Sequence, residues 1–307
     1  GDLSYTFNGS FYGSDGIEQP YSEMTDNLDQ ITDLWGLPVD VTSKGQLQDH
    51  RKYFNVSLKS HDFYFESSQT MTKKGVIDYY PGYGDGHLAE IQSTNTIVGF
   101  KKRITEKTDF HVKMGYYNFR NRLGYKHNSE KTSYGFNDIF SDALDWEVNY
   151  NTGLLPRIEA SFGAYYQLVM RDKLVVDAPN LSSNYINLDA GLSRNGRKQT
   201  WAVFAQSTYR LTEKLNFFCG IRFEQTPQYS INYSVRYDPN DLYEYYSIRR
   251  KYRYDDVNII PRAAFIYAFN AKHFLKLMYG MAIKEASIGE NMDIVRYPDR
   301  PHLKPSQ

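Results

Sequence analysis

The segment from Asp78 to His87 combines residue types that commonly bind ligands. It places tyrosine rings, a carboxylate and an imidazole within a run of glycine and proline turn residues. Aromatic rings with a few well-placed polar groups are typical of small-molecule sites. The candidate ligand-binding residues of this predicted extracellular loop are Tyr79, Tyr80, Tyr83, Asp85 and His87. A solvated turn is the alternative interpretation, because turns have the same composition.

The densest basic run of the chain extends from Arg249 to Arg253 and follows a group of tyrosines. Arginine side chains bind phosphates and other anions, so Arg249 and Arg250 are further candidates. Their ligand would be an anionic nutrient or the phosphates of lipopolysaccharide. Because Asp255 and Asp256 follow at once, a solvated run of charges is the alternative.

Sequence signatures of catalysis and of metal binding are lacking. The seven histidines are scattered, with no pair four residues apart beside a carboxylate, so a preformed zinc site is not indicated. No Gly-x-Ser-x-Gly elbow occurs, and the glycines near residue 84 are not followed by the helix that a phosphate-binding loop requires. The single cysteine, Cys219, excludes an internal disulfide framework. We therefore expect neither an enzyme nor a resident metal or cofactor.

The composition suits a boundary between oil and water. Aromatic residues make up 16% of the chain, with 28 Tyr among them, and tyrosine has an apolar ring with a polar tip. Lys plus Arg and Asp plus Glu number 36 each, so no global field attracts nucleic acid. The mean hydropathy is −0.62, and no run reaches the roughly 18 apolar residues of a membrane-spanning helix. A membrane barrel remains compatible, because its strands carry apolar residues at every second position.

Several segments of the sequence alternate apolar and polar residues with a period of two, which predicts antiparallel strands. From Trp201 to Leu211 the odd positions are mostly apolar, and the pattern resumes from Leu215 to Phe223 after a polar turn at Thr212 to Lys214. The segment from Arg103 to Phe110 parallels Arg210 to Phe217 as a structural repeat. Similar hairpins are predicted at residues 54–65, 144–166 and 263–283, with an opening strand at residues 3–11.

Short turns alternate with long polar segments along the whole chain. The long segments are residues 13–50, 72–91, 126–142, 171–198 and 225–256. Outer-membrane barrels have this asymmetry, with short periplasmic turns and long extracellular loops. We predict about eleven strands of around ten residues each, the length that a tilted strand needs to cross the hydrocarbon.

A membrane barrel and a soluble barrel differ in which face of the sheet points outward. The polar face would carry Gln206, Arg210, Arg222, Glu224, Lys276, Lys113 and His111. Burying unpaired charges in a dry interior costs several kcal/mol each, whereas a wet lumen avoids that cost. The predicted lipid-facing lane, almost free of charge, contains Trp201, Val203, Tyr209, Phe217, Ile221, Leu277 and Tyr279. Lys102 is an exception beside a turn, where it can extend to the interface.

Three stretches resemble the C-terminal barrel of the TonB-dependent receptors. One is Trp201 to Phe223, with its "RLTEKL" turn and the return Gly220-Ile221-Arg222-Phe223. Another runs from Ile260 to Tyr267 and continues through Leu275 to Gly280. The last is Pro301 to Pro305, which is similar to the family's "LKPE" segment but has Ser306 where glutamate is usual.

The resemblance implies an all-β, antiparallel up-and-down transmembrane barrel in the outer membrane of a Gram-negative bacterium. We expect residues 1–307 to be a partial barrel, open and curved, without the plug domain and the terminal strands. The implied function is TonB-energised uptake of a scarce nutrient such as a ferric siderophore, another metal chelate or cobalamin. The expected partners are outer-membrane lipid and lipopolysaccharide, the TonB complex through the plug, and the nutrient. A passive porin or adhesin, or a soluble β-domain that binds carbohydrate or protein, stays open.

Overall fold

The computed structural model describes most of the chain between Leu3 and Lys284. The described residues are 3–20, 23, 42–43, 47–75, 88–126, 134–178, 185–192, 197–227, 229–238, 244–252 and 257–284. The predicted loop candidates at residues 78–87 and the motif at residues 301–305 lie outside these ranges. No helix in the described segments has the length and apolar character that crossing a bilayer would require.

Fourteen strands form one antiparallel sheet. In chain order they are β1 Leu3–Ser14, β2 Asp49–Ser60, β3 Phe63–Gly75, β4 Leu88–Thr105, β5 Thr108–Lys126, β6 Tyr134–Leu155, β7 Ile158–Ala178, β8 Tyr185–Leu192, β9 Lys198–Arg210, β10 Leu215–Gln225, β11 Tyr229–Asp238, β12 Glu244–Tyr252, β13 Asn258–Ala268 and β14 Phe274–Gly280.

Eleven of the strands follow one another side by side, and the other three form a branch. The main path runs from β1 through β7 and then through β9, β10, β13 and β14. The branch leaves the far half of β7 and continues through β8 and β11 to β12. Among the described strands, β1 and β14 each pair on one side only, so the sheet is open.

The short turns form where the sequence predicts them. Between β9 and β10 the Thr212 hydroxyl accepts hydrogen bonds from the backbone of Lys214 and Leu215. Between β13 and β14 the Asn270 side chain accepts from the backbone of Lys272 and His273. Side chains that bond their own turn backbone in this way terminate a strand and fix the register of the next one.

The two faces of the sheet differ as the alternation predicts. One face, here called the apolar face, exposes large apolar side chains at Tyr5, Phe7, Leu58, Phe63, Val98, Met114, Val148, Phe162, Val203, Tyr209, Ile221, Phe265 and Leu277. The opposite, polar face carries His111, Lys113, Asp145, Glu147, Arg222 and Lys276. The predicted lipid-facing lane from Trp201 to Tyr279 lies on the apolar face, and Arg222 and Lys276 lie on the other.

The strand count and three of the predicted loops need correction. We expected about eleven strands, whereas the structure has fourteen. β6 and β7 run for 22 and 21 residues, so they continue into the segments taken as loops at 126–142 and 171–198. The segment 225–256 contains β11 and β12. The ladders extend because β7, β8 and β11 bury their own apolar cluster, with Leu174, Leu188, Ala190, Tyr229, Ile231 and Tyr233 almost fully enclosed.

Candidate functional site

The polar face carries a belt of ionisable and aromatic side chains from β3 to β10. Its centre is an ion pair between directly opposed residues of β5 and β6, in which Lys113 Nζ lies 2.8 Å from Glu147 Oε2. The Asn149 amide donates a further hydrogen bond of 2.6 Å to the same carboxylate. Both charged side chains are about one quarter exposed, so the pair is accessible to water but largely held in place. We name this set, with the residues described next, the polar belt.

A tyrosine and a histidine meet across one intervening strand. The Tyr64 hydroxyl lies 2.6 Å from His111 Nε2, although β3 and β5 are separated by β4. Gly99 of β4 lies between them, and a Cβ atom there would stand 2.1 Å from the Tyr64 ring. The glycine is therefore needed for the close approach of the two side chains.

A buried carboxylate, Asp145 of β6, adjoins the Lys113–Glu147 ion pair. The Tyr117 hydroxyl donates to Asp145 Oδ2 at 3.2 Å, and Asp145 is only 6% exposed. Its other oxygen, Oδ1, has no hydrogen-bond partner among the described residues and covers Gly115, where a Cβ would lie 2.1 Å away. A buried acceptor without a hydrogen-bond partner is uncommon in native structures.

The belt ends at β7 and β10. Arg222 lies 2.7 Å from Glu224, two residues along the same face of β10. Its guanidinium carbon is 5.2 Å from the centre of the Tyr165 ring. The charges of these two ion pairs are thus compensated within a strand or between neighbouring strands, which suits a wall in contact with water. Among the described residues no group of three or more His, Cys, Asp or Glu is placed to hold a metal ion.

Beyond the belt, the polar face of β7 carries a partly buried acid, Asp172. Asp172 lies past the register shift at which β7 has one extra residue between Val169 and Arg171. Burial raises the pKa of the Asp172 carboxyl, and the charge of Lys198 opposes that rise. Lys198 also lies 5.3 Å from the centre of the Tyr229 ring.

Of the predicted ligand-binding residues, only Arg249 and Arg250 lie in a described strand, and that strand is outside this belt. Tyr79, Tyr80, Tyr83, Asp85 and His87 fall outside the described residues. Arg249 is exposed on β12, where its register partner is Asn232 of β11, and Arg250 follows it in the same strand. The basic run therefore starts in a strand of the branch rather than in the loop that we expected.

Sequence patterns identified one half of the belt. Alternation placed His111, Lys113, Arg222 and Glu224 on the polar side. Their partners Tyr64, Tyr117, Asp145, Glu147 and Tyr165 were missed, because pairing across strands depends on a register that a single sequence does not contain.

Comparison with known proteins identifies the family. The family model described as "TonB dependent receptor-like, beta-barrel" matches residues 3–307. This chain belongs to that family. The family consists of transport receptors of the Gram-negative outer membrane. A comparison with curated proteins found no match.

Solved structures support the same fold. The ferric yersiniabactin uptake receptor FyuA from Yersinia pestis aligns with 88% of this chain and 40% of its own, at a TM-score of 0.57 and 14% identity. The ferric-catecholate import receptor Fiu from E. coli K12 aligns with 78% of this chain and 47% of its own, at a TM-score of 0.52 and 11% identity. The ferric citrate transporter FecA aligns with 82% of this chain and 38% of its own, at a TM-score of 0.51 and 10% identity. The chain thus spans less than half the length of these receptors, and at such identities the likeness shows the fold alone.

The predicted family and the antiparallel barrel class are confirmed.

Proposed function

We propose that this chain forms part of the wall of an outer-membrane receptor that imports a scarce nutrient with energy delivered by TonB. The nutrient would be a ferric siderophore, another metal chelate or cobalamin. The observation that carries the proposal is the contrast between the two faces. Exposed apolar side chains on one face suit acyl chains, while compensated charges on the other suit a water-filled lumen.

The domain organisation follows from the same reasoning. We take residues 1–307 as a partial barrel domain, with the plug and the remaining strands supplied by other parts of the protein. The coverage of 38–47% of the three solved receptors supports this division. In this arrangement TonB acts through the plug, and the chain described here has no catalytic role.

The three solved receptors guide the choice of nutrient. Each of them is named for a ferric complex, so a ferric chelate is the first ligand class to test. Contact with the ligand is assigned to extracellular residues, as the sequence suggests: Tyr79, Tyr80, Tyr83, Asp85, His87, Arg249 and Arg250. Guanidinium groups near aromatic rings suit an anionic chelate, and because Arg249 and Arg250 are consecutive in β12 each is proposed as a contact on its own rather than as a pair.

The test is uptake of radioactive iron by iron-starved cells that make the complete protein, supplied as ferric citrate or as a ferric catecholate. We expect saturable uptake of at least one probe, falling to background when a protonophore collapses the proton gradient or when TonB is deleted. Uptake that persists without the gradient would indicate a passive pore instead. A protein that stays monodisperse without detergent would contradict the membrane placement.

The assignment of ligand residues has its own variants. Replacing Arg249 and Arg250 by glutamine is expected to raise the half-saturating concentration of an anionic chelate about tenfold, with an unchanged maximal rate. Arg51→Gln is the control, because Arg51 is also exposed and lies on a different strand, where it pairs with Asp49. An equal effect of both changes would show a general effect of charge.

A further inference from the structure

The apolar face changes character partway along β5, β6 and β7. Met114, Trp146 and Tyr166 are cross-strand neighbours on this face, and two rows farther along are Asn118, Asp142 and Arg171. β5 starts at Thr108, so Asn118 lies ten residues into the strand. A tilted strand crosses the hydrocarbon in about 9–11 residues. The polar row therefore falls at the outer boundary of the membrane, and it faces lipid.

The row of Asn118, Asp142 and Arg171 is built around a buried acid. Asp142 is 1% exposed and accepts hydrogen bonds from Asn118 Nδ2, from Arg171 Nε and, at 3.4 Å, from the Tyr116 hydroxyl. The Arg171 side chain, in contrast, is 65% exposed. The buried Asp142 carboxylate thus holds the Arg171 side chain in place, while most of that side chain remains exposed.

The next row repeats the arrangement. Arg120, Phe140 and Lys173 are register partners across β5, β6 and β7. Arg120 is 47% exposed and binds the 11% exposed Asp138 with two hydrogen bonds, of 3.0 and 2.5 Å. Arg171 lies 5.6 Å from the centre of the Phe140 ring. We call Arg120, Phe140, Arg171 and Lys173 the Phe140 cluster.

The cluster is shaped to receive an anion at the lipid boundary. Asp138 occupies two of the five N–H donors of Arg120 and leaves the others for a ligand. Fixed guanidinium groups bind phosphate through paired hydrogen bonds, and a nearby ammonium adds a point charge. Lys173 supplies that ammonium, with its Nζ 2.7 Å from the half-exposed Asp189.

The ligand must also match what lies below the cluster. The apolar row of Met114, Trp146 and Tyr166 suits acyl chains, and the donors that the acids leave unused in the cluster suit a phosphate. A single molecule that carries both meets both demands. We propose that the Phe140 cluster binds the phosphorylated headgroup of an outer-leaflet lipid. The site rests on the membrane placement given under the proposed function, and it is separate from ligand import.

The experiment uses the complete folded protein in detergent micelles, with lipid A as the probe, either carrying its phosphates or enzymatically dephosphorylated. Native mass spectrometry counts lipid molecules retained per protein. We expect the phosphorylated form to be retained and the dephosphorylated form to be retained at least about tenfold more weakly.

Paired variants keep the net charge of the face constant. In R120Q/D138N and R171Q/D142N an arginine is removed with the acid that holds it, so no buried charge is left without a partner. Each is expected to weaken retention of the phosphorylated probe about tenfold. Lys52→Gln is the matched control, because Lys52 is exposed on the same face and lies on β2, three strands away from β5. It should retain the lipid as the parent protein does.

Three results would overturn the proposal: equal retention of both probes, undiminished retention by the paired variants, or full displacement by millimolar inorganic phosphate, which would show a free-anion site. These outcomes do not bear on import, which is measured as iron uptake. A protein that retains lipid but transports no chelate would refute the transport assignment alone.

Discussion

The direction of the two faces can be tested with two adjacent residues of β9. Ala205 lies on the apolar face between Phe162 and Ile221, which are 45% and 38% exposed, and Gln206 lies on the polar face. Ala205 is five residues from Arg210, where β9 ends. At about 3.3 Å per residue and a tilt of about 40°, this places Ala205 about 13 Å from the turn, near the middle of an apolar band about 25 Å tall.

A lysine at the midplane of the lipid face costs about 2–4 kcal/mol, so Ala205→Lys should lower the folding equilibrium constant about 30- to 900-fold. Gln206→Lys should change stability by less than about 0.5 kcal/mol, because its side chain faces water. Ala205→Leu controls for size and should be close to neutral. The assay is guanidinium unfolding of the complete protein from lipid bilayers. Equal costs at the two positions, or a larger cost at Gln206, would refute the assignment of the faces.

Three further perturbations test the polar face. Lys113→Met should destabilise the protein by about 1–2 kcal/mol, since water screens the partly exposed pair, and adding Glu147→Gln should recover part of this in a double-mutant cycle. Gly99→Ala should destabilise the protein by about 1–3 kcal/mol, because the added methyl group would overlap the Tyr64 ring. Gly9→Ala is the control and should cost little, because the nearest atom to its added methyl group is 3.7 Å away. Both changes are measured by thermal unfolding. The raised pKa of Asp172, outside the membrane-crossing residues, means that the folded state binds this proton more tightly than the unfolded chain. Its contribution to stability is present below the unfolded pKa of 3.8 and is lost as pH rises through the folded pKa, so Asp172→Asn should raise the melting temperature at neutral pH and not at pH 3. An increase of equal size at both pH values would contradict that sign.

The fold was predictable wherever one local pattern dominated. Strict alternation from Trp201 to Phe223 and a polar turn at Thr212 fixed a hairpin, its two faces and its short connection. The branch was predicted as loops, although Tyr229, Ile231 and Tyr233 alternate with polar residues. Those residues form strands because they bury one another against β7 and β8, and such long-range contacts are not visible in a local window.

The polar belt shows the same limit at the level of single contacts. Lys113 was placed on the wet side by alternation alone, but its partner Glu147 is 34 residues away and is found only through the register of β5 against β6. The Tyr64 to His111 contact also requires a glycine on the strand between them. A sequence predicts which residues share a face, whereas the pairs within that face depend on register.

Charged residues of the polar belt occur as ion pairs. Lys113 with Glu147 and Arg222 with Glu224 are neutral as pairs, and each partner lies within 2.8 Å of the other. A neutral pair has a field that falls off rapidly with distance, so these residues exert little long-range attraction on a charged ligand. If the proposed transport role holds, we expect this wall to contribute wetting and rigidity rather than selection. We expect neutralising either pair to leave the half-saturating ligand concentration unchanged while Arg249→Gln raises it, and a shift caused by the wall variant would assign recognition to the lumen instead.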